Sequence, residues 1–148
     1  IVFKDKNGHV VADGRPKVLY VPQSPVIFNT NLLENITLDN DDGILTGDLK
    51  IELEQIADKL GILEELNSRD TLSKSTLSGG QILRIALVRA LVRKPDFILI
   101  DETLSGIHPK LAVEIVRYIK SEFCVGCLIV SHNAVLDSEI DDFTEWSY

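Results

Sequence analysis

No stretch of this 148-residue sequence is apolar for long enough to cross a membrane, because a spanning helix needs about 18 or more consecutive apolar residues. The segment from Ile1 to Asp5 mixes apolar and charged residues and predicts no signal peptide. Cysteine is also scarce: Cys124 and Cys127 form one C-x-x-C pair, which cannot supply the four ligands of a tetrahedral zinc site. We therefore expect reduced, buried thiols and no structural zinc.

Basic residues are also fewer than acidic residues. The sequence has 15 Lys and Arg against 23 Asp and Glu, a net charge of −8, whereas proteins that bind nucleic acid through their overall field are positively charged. Sustained heptad repeats, which would predict a long coiled coil, are absent too. The length fits one domain with a hydrophobic core, and no nucleic-acid partner is expected.

The rest of the chain is arranged around the five residues Leu77-Ser78-Gly79-Gly80-Gln81. An apolar run with helical spacing follows them and stops at Pro95, so Ser78 is the predicted N-cap of a helix. The N-terminus of a helix offers unpaired N–H groups and a positive dipole end, and glycines let a ligand approach the backbone closely. The motif predicts a phosphate cradle, and the alternative is an ordinary loop that caps a core helix.

Two adjacent carboxylates end the apolar segment that follows this helix. The segment Phe97 to Ile100 predicts a buried strand, and Asp101 and Glu102 come directly after it. Successive side chains of a strand point in opposite directions, so the two carboxylates reach different positions at the strand end where open α/β sheets bind ligands. One could hold Mg²⁺ while the other takes a proton from water. Buried strands are also predicted at Val18–Val21 and Leu128–Val130.

Together, these two motifs resemble the signature and Walker B motifs of the ATP-binding cassette (ABC) ATPases. The resemblance implies an α/β fold of the P-loop NTPase type, incomplete in this chain, with a mostly parallel core sheet and an inserted α-helical subdomain. It implies ATP and Mg²⁺ as ligands, with Asp101 ordering Mg²⁺ and Glu102 acting as general base on water. The signature residues that it implies as ATP contacts are Ser78, Gly79, Gly80 and Gln81.

Three loops resemble further motifs of this family. Tyr20-Val21-Pro22-Gln23 is similar to the Q-loop, which implies that Gln23 contacts Mg²⁺ and the attacking water. His132 follows the last apolar strand in the place of the switch histidine, which implies a contact with the γ-phosphate. Thr103 to His108 lies in the place of the D-loop, and this implies Ser105 as an ATP contact. The family usually has Asp where His108 stands, which suggests an asymmetric pair of cassettes.

The segment Ser24 to Ile36 resembles the ABC exporters in particular, in which a proline, a bulky apolar pair and a helix ending in Glu-Asn-Ile are usual. This resemblance implies two partners, the transmembrane domain of an exporter and a second ABC domain, in a homodimer or a heterodimer. It also implies a location at the cytoplasmic face of a cell membrane. Residues 1–148 would form a single partial domain, with a helical and signature subdomain at about 24–94 and a Walker B, D-loop and H-loop part at 95–148.

The sequence lacks the phosphate-binding loop of this family, G-x-x-x-x-G-K-[ST]. We therefore expect the chain to be part of a cassette and to be inactive as an ATPase alone. A catalytically inactive docking or dimerisation module is the alternative. A DNA-repair or chromosome-structural ATPase is a third hypothesis, which the acidic charge disfavours. The presence of Gln23, Asp101, Glu102 and His132 together favours the catalytic hypothesis.

One structural consequence of the missing loop is expected in the sheet. In this family the phosphate-loop strand lies beside the strand that leads to the switch histidine. Without it, Leu128 to Val130 would be an exposed edge that can pair with another chain. We expect marginal stability or self-association of this chain.

Overall fold

The computed structural model describes residues 2–4, 10–13, 16–38, 47–67, 71–72, 75–123, 126–132 and 134–139. The described strands are β1 (Val2–Lys4), β2 (Val10–Asp13), β3 (Val18–Val21), β4 (Phe97–Asp101) and β5 (Gly126–Val130). The described helices are α1 (Leu32–Thr37), α2 (Gly47–Lys59), α3 (Leu63–Asn67), α4 (Gly79–Leu91) and α5 (Pro109–Tyr118). Short 3₁₀ helices cover Thr103–Gly106 and Ala134–Glu139, and a π-helical turn, Ile119–Phe123, continues α5.

The central element is a three-stranded sheet in the order β3-β4-β5. Both neighbouring pairs are parallel, with Val21 opposite Ile100 in one pair and Asp101 opposite Val130 in the other. The strands β1 and β2 form a separate antiparallel pair. The predicted α/β fold with a parallel core sheet is confirmed, and the carboxyl ends of all three parallel strands meet at one edge.

The two faces of this sheet differ in what covers them. Side chains alternate along a strand, and the inner side chains Val21, Ile98 and Ile100 are fully buried in the hydrophobic core. Four apolar side chains of the other face have large exposed fractions: Val18 55%, Tyr20 55%, Leu128 53% and Val130 44%. The prediction that β3 and β5 are buried strands is therefore wrong for one face of each. The physical reason is that the described elements leave this face largely open.

β5 is an edge strand among the described residues, since it pairs with β4 alone. Its bare hydrogen-bonding groups agree with the edge expected from the sequence. Burial raises the pKa of the Cys127 thiol on β5 to about 11, so this free thiol stays protonated at neutral pH. Cys124 lies outside the described residues.

Helix α4 has more buried residues than any other helix that the structure describes. Its N-cap is Ser78, as predicted, and the helix ends well before Pro95. Its buried residues lie on several sides of the helix: Ile82, Leu83, Ile85, Ala86, Leu87, Val88, Ala90 and Leu91. Each fully buried Leu or Ile stabilises the fold by about 1.5–3 kcal/mol, so α4 forms the centre of the core.

Helices α2 and α5 follow their sequence signals closely. On α2 the apolar face, with Leu53 and Ile56, is buried, and Gly61 takes the positive φ of 67° that ends such a helix. On α5, Pro109 lies in the first turn, where the absence of an N–H costs nothing. Among the residues that the structure describes, no helix combines the length and apolar character needed for a membrane span.

Candidate functional site

The first turn of α4 forms a closed hydrogen-bonded cap. The Ser78 hydroxyl oxygen accepts a hydrogen bond from the Gln81 N–H at 3.2 Å, and the Gln81 side-chain oxygen accepts one from the Ser78 N–H at 2.8 Å. This capping box holds Gly79 and Gly80 in the first helical turn, where backbone N–H groups have no intrahelical partner. The Ser78 hydroxyl oxygen accepts within this cap. Binding of a phosphate by this first turn, the predicted cradle, stays a prediction.

Within this cap, the Gln81 side chain supports the cradle. Its amide nitrogen donates to Glu65 Oε1 on α3 at 2.6 Å, while its oxygen is held by Ser78. Both ends of the amide therefore have partners inside the chain. A direct contact of Gln81 with ATP stays a prediction, and its observed contacts fix the first turn of α4 against α3.

Arg84 connects the same turn to the end of α2. Its Nε donates to the Gly80 carbonyl at 3.1 Å, and its Nη1 donates to the Gly61 carbonyl at 2.8 Å. A Cβ on Gly61 would lie 3.0 Å from that Nη1, so the position has little room for a side chain. Sequence reasoning missed Arg84, because an arginine inside an apolar helical run gives no indication of which carbonyls it reaches.

The segment after Gln23 is attached to the other end of α4. Arg89 donates from Nε to the Asn35 carbonyl at 2.8 Å and from Nη1 to the Val26 carbonyl at 3.0 Å. Its guanidinium carbon also lies 5.8 Å from the centre of the Phe28 ring, a cation–π contact. Burial, with a smaller effect of the neighbouring Arg93 charge, lowers the pKa of Arg89. One helix thus holds both the cradle and the loop that follows Gln23.

A buried threonine brings the ends of β3 and β4 together. The Thr103 hydroxyl lies 3.2 Å from each of the carbonyls of Val21, Pro22 and Asp101. The hydroxyl is fully buried, and its single proton donates to one of these carbonyls at a time. Gln23, the next residue along the chain, has an exposed side chain and begins its loop at the strand end that carries Asp101. Thr103 was not among the predicted site residues.

Asp101 is the last residue of β4 and lies on the open face of the sheet. The Tyr20 hydroxyl donates to its Oδ2 at 2.8 Å. No cluster of three or more His, Cys, Asp or Glu suited to a metal occurs in the described part of the chain. Mg²⁺ usually takes one or two carboxylates and completes its shell with waters and substrate phosphates. The Asp101 carboxylate is a ligand of this kind, and binding of Mg²⁺ by Asp101 and the Gln23 amide stays a prediction.

Glu102 faces a different set of side chains. Its Oε2 accepts from the Ser105 hydroxyl at 2.6 Å, and its Oε1 lies 3.4 Å from His132 Nε2. The Ser105 and Ser131 hydroxyls are 2.9 Å apart. The structure therefore places three predicted residues, Glu102, Ser105 and His132, in one cluster. Ser131 is an additional member that the sequence did not indicate.

The backbone of Glu102 is strained. Its φ of 52° is in the left-handed region, which costs a residue other than glycine about 1–2 kcal/mol. Hydrogen bonds hold it there: its N–H donates to the Val130 carbonyl at 2.8 Å and its carbonyl accepts from the Ser105 N–H at 3.1 Å. After this turn the Glu102 carboxylate lies beside His132, which follows β5.

The first turn of α4 and the segment that carries the carboxylate cluster are packed closely together at their backbones. A Cβ on Gly80 would lie 3.5 Å from the Gly106 carbonyl oxygen, and a Cβ on Gly106 would lie 2.4 Å from Leu83 Cδ1. The first turn of α4 therefore packs directly on the 3₁₀ helix that carries Ser105. His108 follows as the N-cap residue of α5, and its side chain makes no capping hydrogen bond.

Comparisons with known proteins identify related sequences. A family model described as ABC transporter matches residues 3–105. The chain is 36% identical to a putative export ATP-binding/permease protein of Rickettsia felis, over 81% of this chain and 21% of that protein. It is 32% identical to the phosphate import ATP-binding protein PstB of Staphylococcus saprophyticus, over 97% of this chain and 52% of that protein. It is also 32% identical to human ATP-binding cassette sub-family B member 5, over 80% of this chain and 10% of that protein.

Two solved structures share the fold. A bacterial Atm1-family ABC exporter with ATP bound gives a TM-score of 0.67 at 24% identity, over 81% of this chain and 22% of that chain. An ATP-binding cassette of an ABC transporter in its ADP conformation gives 0.60 at 22% identity, over 84% of this chain and 55% of that chain. The chain thus spans about half, or less, of each of the proteins compared.

Proposed function

This chain belongs to the ABC transporter family, and on that premise we propose that it is part of an ATP-binding cassette that couples ATP hydrolysis to transport across a membrane. The observation that carries the proposal is the cluster at the carboxyl ends of β4 and β5. There Glu102 contacts both Ser105 and His132, next to the separately held carboxylate of Asp101. A metal ligand and a general base have different tasks, so the two carboxylates that perform them need different neighbours.

The side chains divide the work of hydrolysis. Asp101 and Gln23 would hold Mg²⁺, and the ion would neutralise charge on the phosphates. Glu102 accepts a proton from the attacking water, and its hydrogen bond from Ser105 fixes the direction of the carboxylate. His132, with an exposed ring, contacts the γ-phosphate. Positioning and charge stabilisation supply most of the rate increase in such reactions.

The cradle acts on a second nucleotide-binding subunit. The exposed first turn of α4 offers the Ser78 hydroxyl and the N–H groups of Gly79 and Gly80 to the phosphates of an ATP held by that partner. The partner is a second cassette, identical to this chain or different from it. The 148 residues contain no G-x-x-x-x-G-K-[ST] sequence, so we propose that hydrolysis needs such a loop from outside them.

Export is the proposed direction of transport. The segment Ser24 to Ile36 resembles the exporters, and one relative at 36% identity has an export name, although another at 32% has an import name. We propose that a transmembrane domain of an exporter is the second partner and that the cassette lies at the cytoplasmic face of the membrane. The inactive docking module remains the second candidate, favoured by the absence of the phosphate-loop sequence.

Replacing Glu102 with Gln in the full-length gene product tests the catalytic role. The substitution keeps an acceptor for Ser105 but removes the base, so we expect ATP turnover to fall about 100-fold or more. ATP binding should be retained, as measured by nucleotide titration. The control is Glu64→Gln, an exposed glutamate on α3, which should leave turnover unchanged.

Two results would contradict the proposal. Unchanged turnover in the Glu102→Gln variant would remove this residue as the base. No ATP turnover in the unaltered full-length product, under conditions in which it binds Mg²⁺-ATP, would favour the docking module.

A further inference from the structure

Tyr20 lies beside the proposed metal ligand on the open face of the sheet. It is opposite Leu99 in the parallel register of β3 and β4, so its side chain shares a face with Leu99 and with Asp101, two residues further along β4. The hydroxyl reaches past Leu99 and donates to Asp101 Oδ2 at 2.8 Å. The only polar atom of the Tyr20 side chain is thus used to hold this carboxylate.

We propose that Tyr20 is a positioning residue that orients the Asp101 carboxylate for a divalent cation. This inference rests on the proposed function, because it assumes that Asp101 is the metal ligand. A carboxylate at the end of a strand can rotate about its last side-chain bond, and a hydrogen bond to one oxygen selects one orientation. With Oδ2 held by the phenol, Oδ1 is left to face the cation or one of its waters.

The chemistry of the phenol suits this task. Tyr20 is a neutral donor, so it fixes the carboxylate without neutralising the charge that attracts the cation. Partners that orient metal ligands in this way typically change metal affinity or activity by about 10–100-fold when they are removed.

The test is the Tyr20→Phe variant of the full-length gene product, which keeps the ring and removes only the hydroxyl. Mn²⁺ is titrated onto the ATP-loaded protein and followed by its electron paramagnetic resonance signal. We expect about ten-fold weaker Mn²⁺ binding, with metal-free ATP binding unchanged. Turnover should be restored by raising the Mg²⁺ concentration. The matched control is Tyr118→Phe, at the far end of α5, which should leave Mn²⁺ affinity unchanged.

The Asp101→Asn variant distinguishes a failure of the inference about Tyr20 from a failure of the proposed function. If Asp101→Asn abolishes Mn²⁺ binding while Tyr20→Phe leaves it intact, the role of Tyr20 is overturned and the proposed function stands. If Asp101→Asn also retains full Mn²⁺ affinity, Asp101 is not the metal ligand and both proposals fail. An equal loss of ATP binding with and without metal in Tyr20→Phe would indicate a purely structural tyrosine and would also overturn the inference.

Discussion

Helix α4 and the open face of the sheet differ in how far their side chains are covered by the rest of the described chain. On α4, apolar residues are buried on several sides, and Gln81, Arg84 and Arg89 all find partners within the chain. On the sheet, large apolar side chains such as Leu128 and Val130 are about half exposed. The helical region is therefore specified by contacts among the described residues. The open face carries apolar surface that these residues do not cover, and it includes the proposed metal ligand.

A pair of identical substitutions would test this contrast most strongly. Leu87→Ala on α4 removes a fully buried side chain and should lower the free energy of unfolding by about 2–5 kcal/mol. Leu128→Ala on β5 removes a half-exposed one and should cost under about 0.5 kcal/mol. Urea unfolding of both variants, at several protein concentrations, gives the comparison.

The concentration series also addresses self-association. If chains associate through the β5 edge, Leu128→Ala should become costly only where the protein is oligomeric. Equal losses for Leu87→Ala and Leu128→Ala in a monodisperse monomer would mean that the open face is covered, and the comparison would fail.

A buried amide gives the next largest expected effect. Asn35 is fully buried, and its side chain accepts from the Phe28 N–H at 2.9 Å and donates to the Phe28 and Thr30 carbonyls at 3.0 and 3.2 Å. Asn35→Ala removes the acceptor of the Phe28 N–H, while the Phe28 and Thr30 carbonyls each keep one backbone hydrogen bond. The substitution should cost about 2 kcal/mol. Thermal or urea unfolding measures the loss.

The control for this change lies in the same loop. Asn29 is exposed, so Asn29→Ala should change the free energy of unfolding by less than about 0.5 kcal/mol. Similar effects of the two substitutions would show that the loop after Gln23 is not held by Asn35. The helical region would then depend less on internal contacts than the structure indicates.

The same contrast explains which features of the fold and the site could be predicted from the sequence. The cap at Ser78 and the two carboxylates at the end of β4 were predicted, because each depends on neighbours within a few residues. The exposure of Val18 and Leu128 was not predicted. A short apolar run has the same sequence pattern whether one face of the strand is covered or both. The contacts of Tyr20 and Ser105 depend on strand register and on the positive φ of Glu102, which no local pattern specifies.

A surface ion pair should have the smallest effect on the free energy of unfolding. Arg117 on α5 donates from Nε and Nη2 to the two carboxylate oxygens of Glu139, at 2.9 and 2.8 Å. This hydrogen-bonded pair lowers the pKa of Glu139 below its usual 4.5. Because the folded-state pKa is depressed, the stabilisation is fully present above about pH 4.5 and is lost as the pH falls through the folded-state value.

The Glu139→Gln variant isolates this contribution. It should be slightly less stable than the unaltered chain at pH 7, and the difference should shrink as the pH falls below 4.5. Urea unfolding at a series of pH values checks this, with Glu64→Gln on α3 as the control. A difference that stays constant down to pH 3 would mean that the charge of Glu139 does not stabilise the contact between α5 and the last 3₁₀ helix. In that case packing of the buried Leu136, which does not titrate, would be what holds this helix on α5.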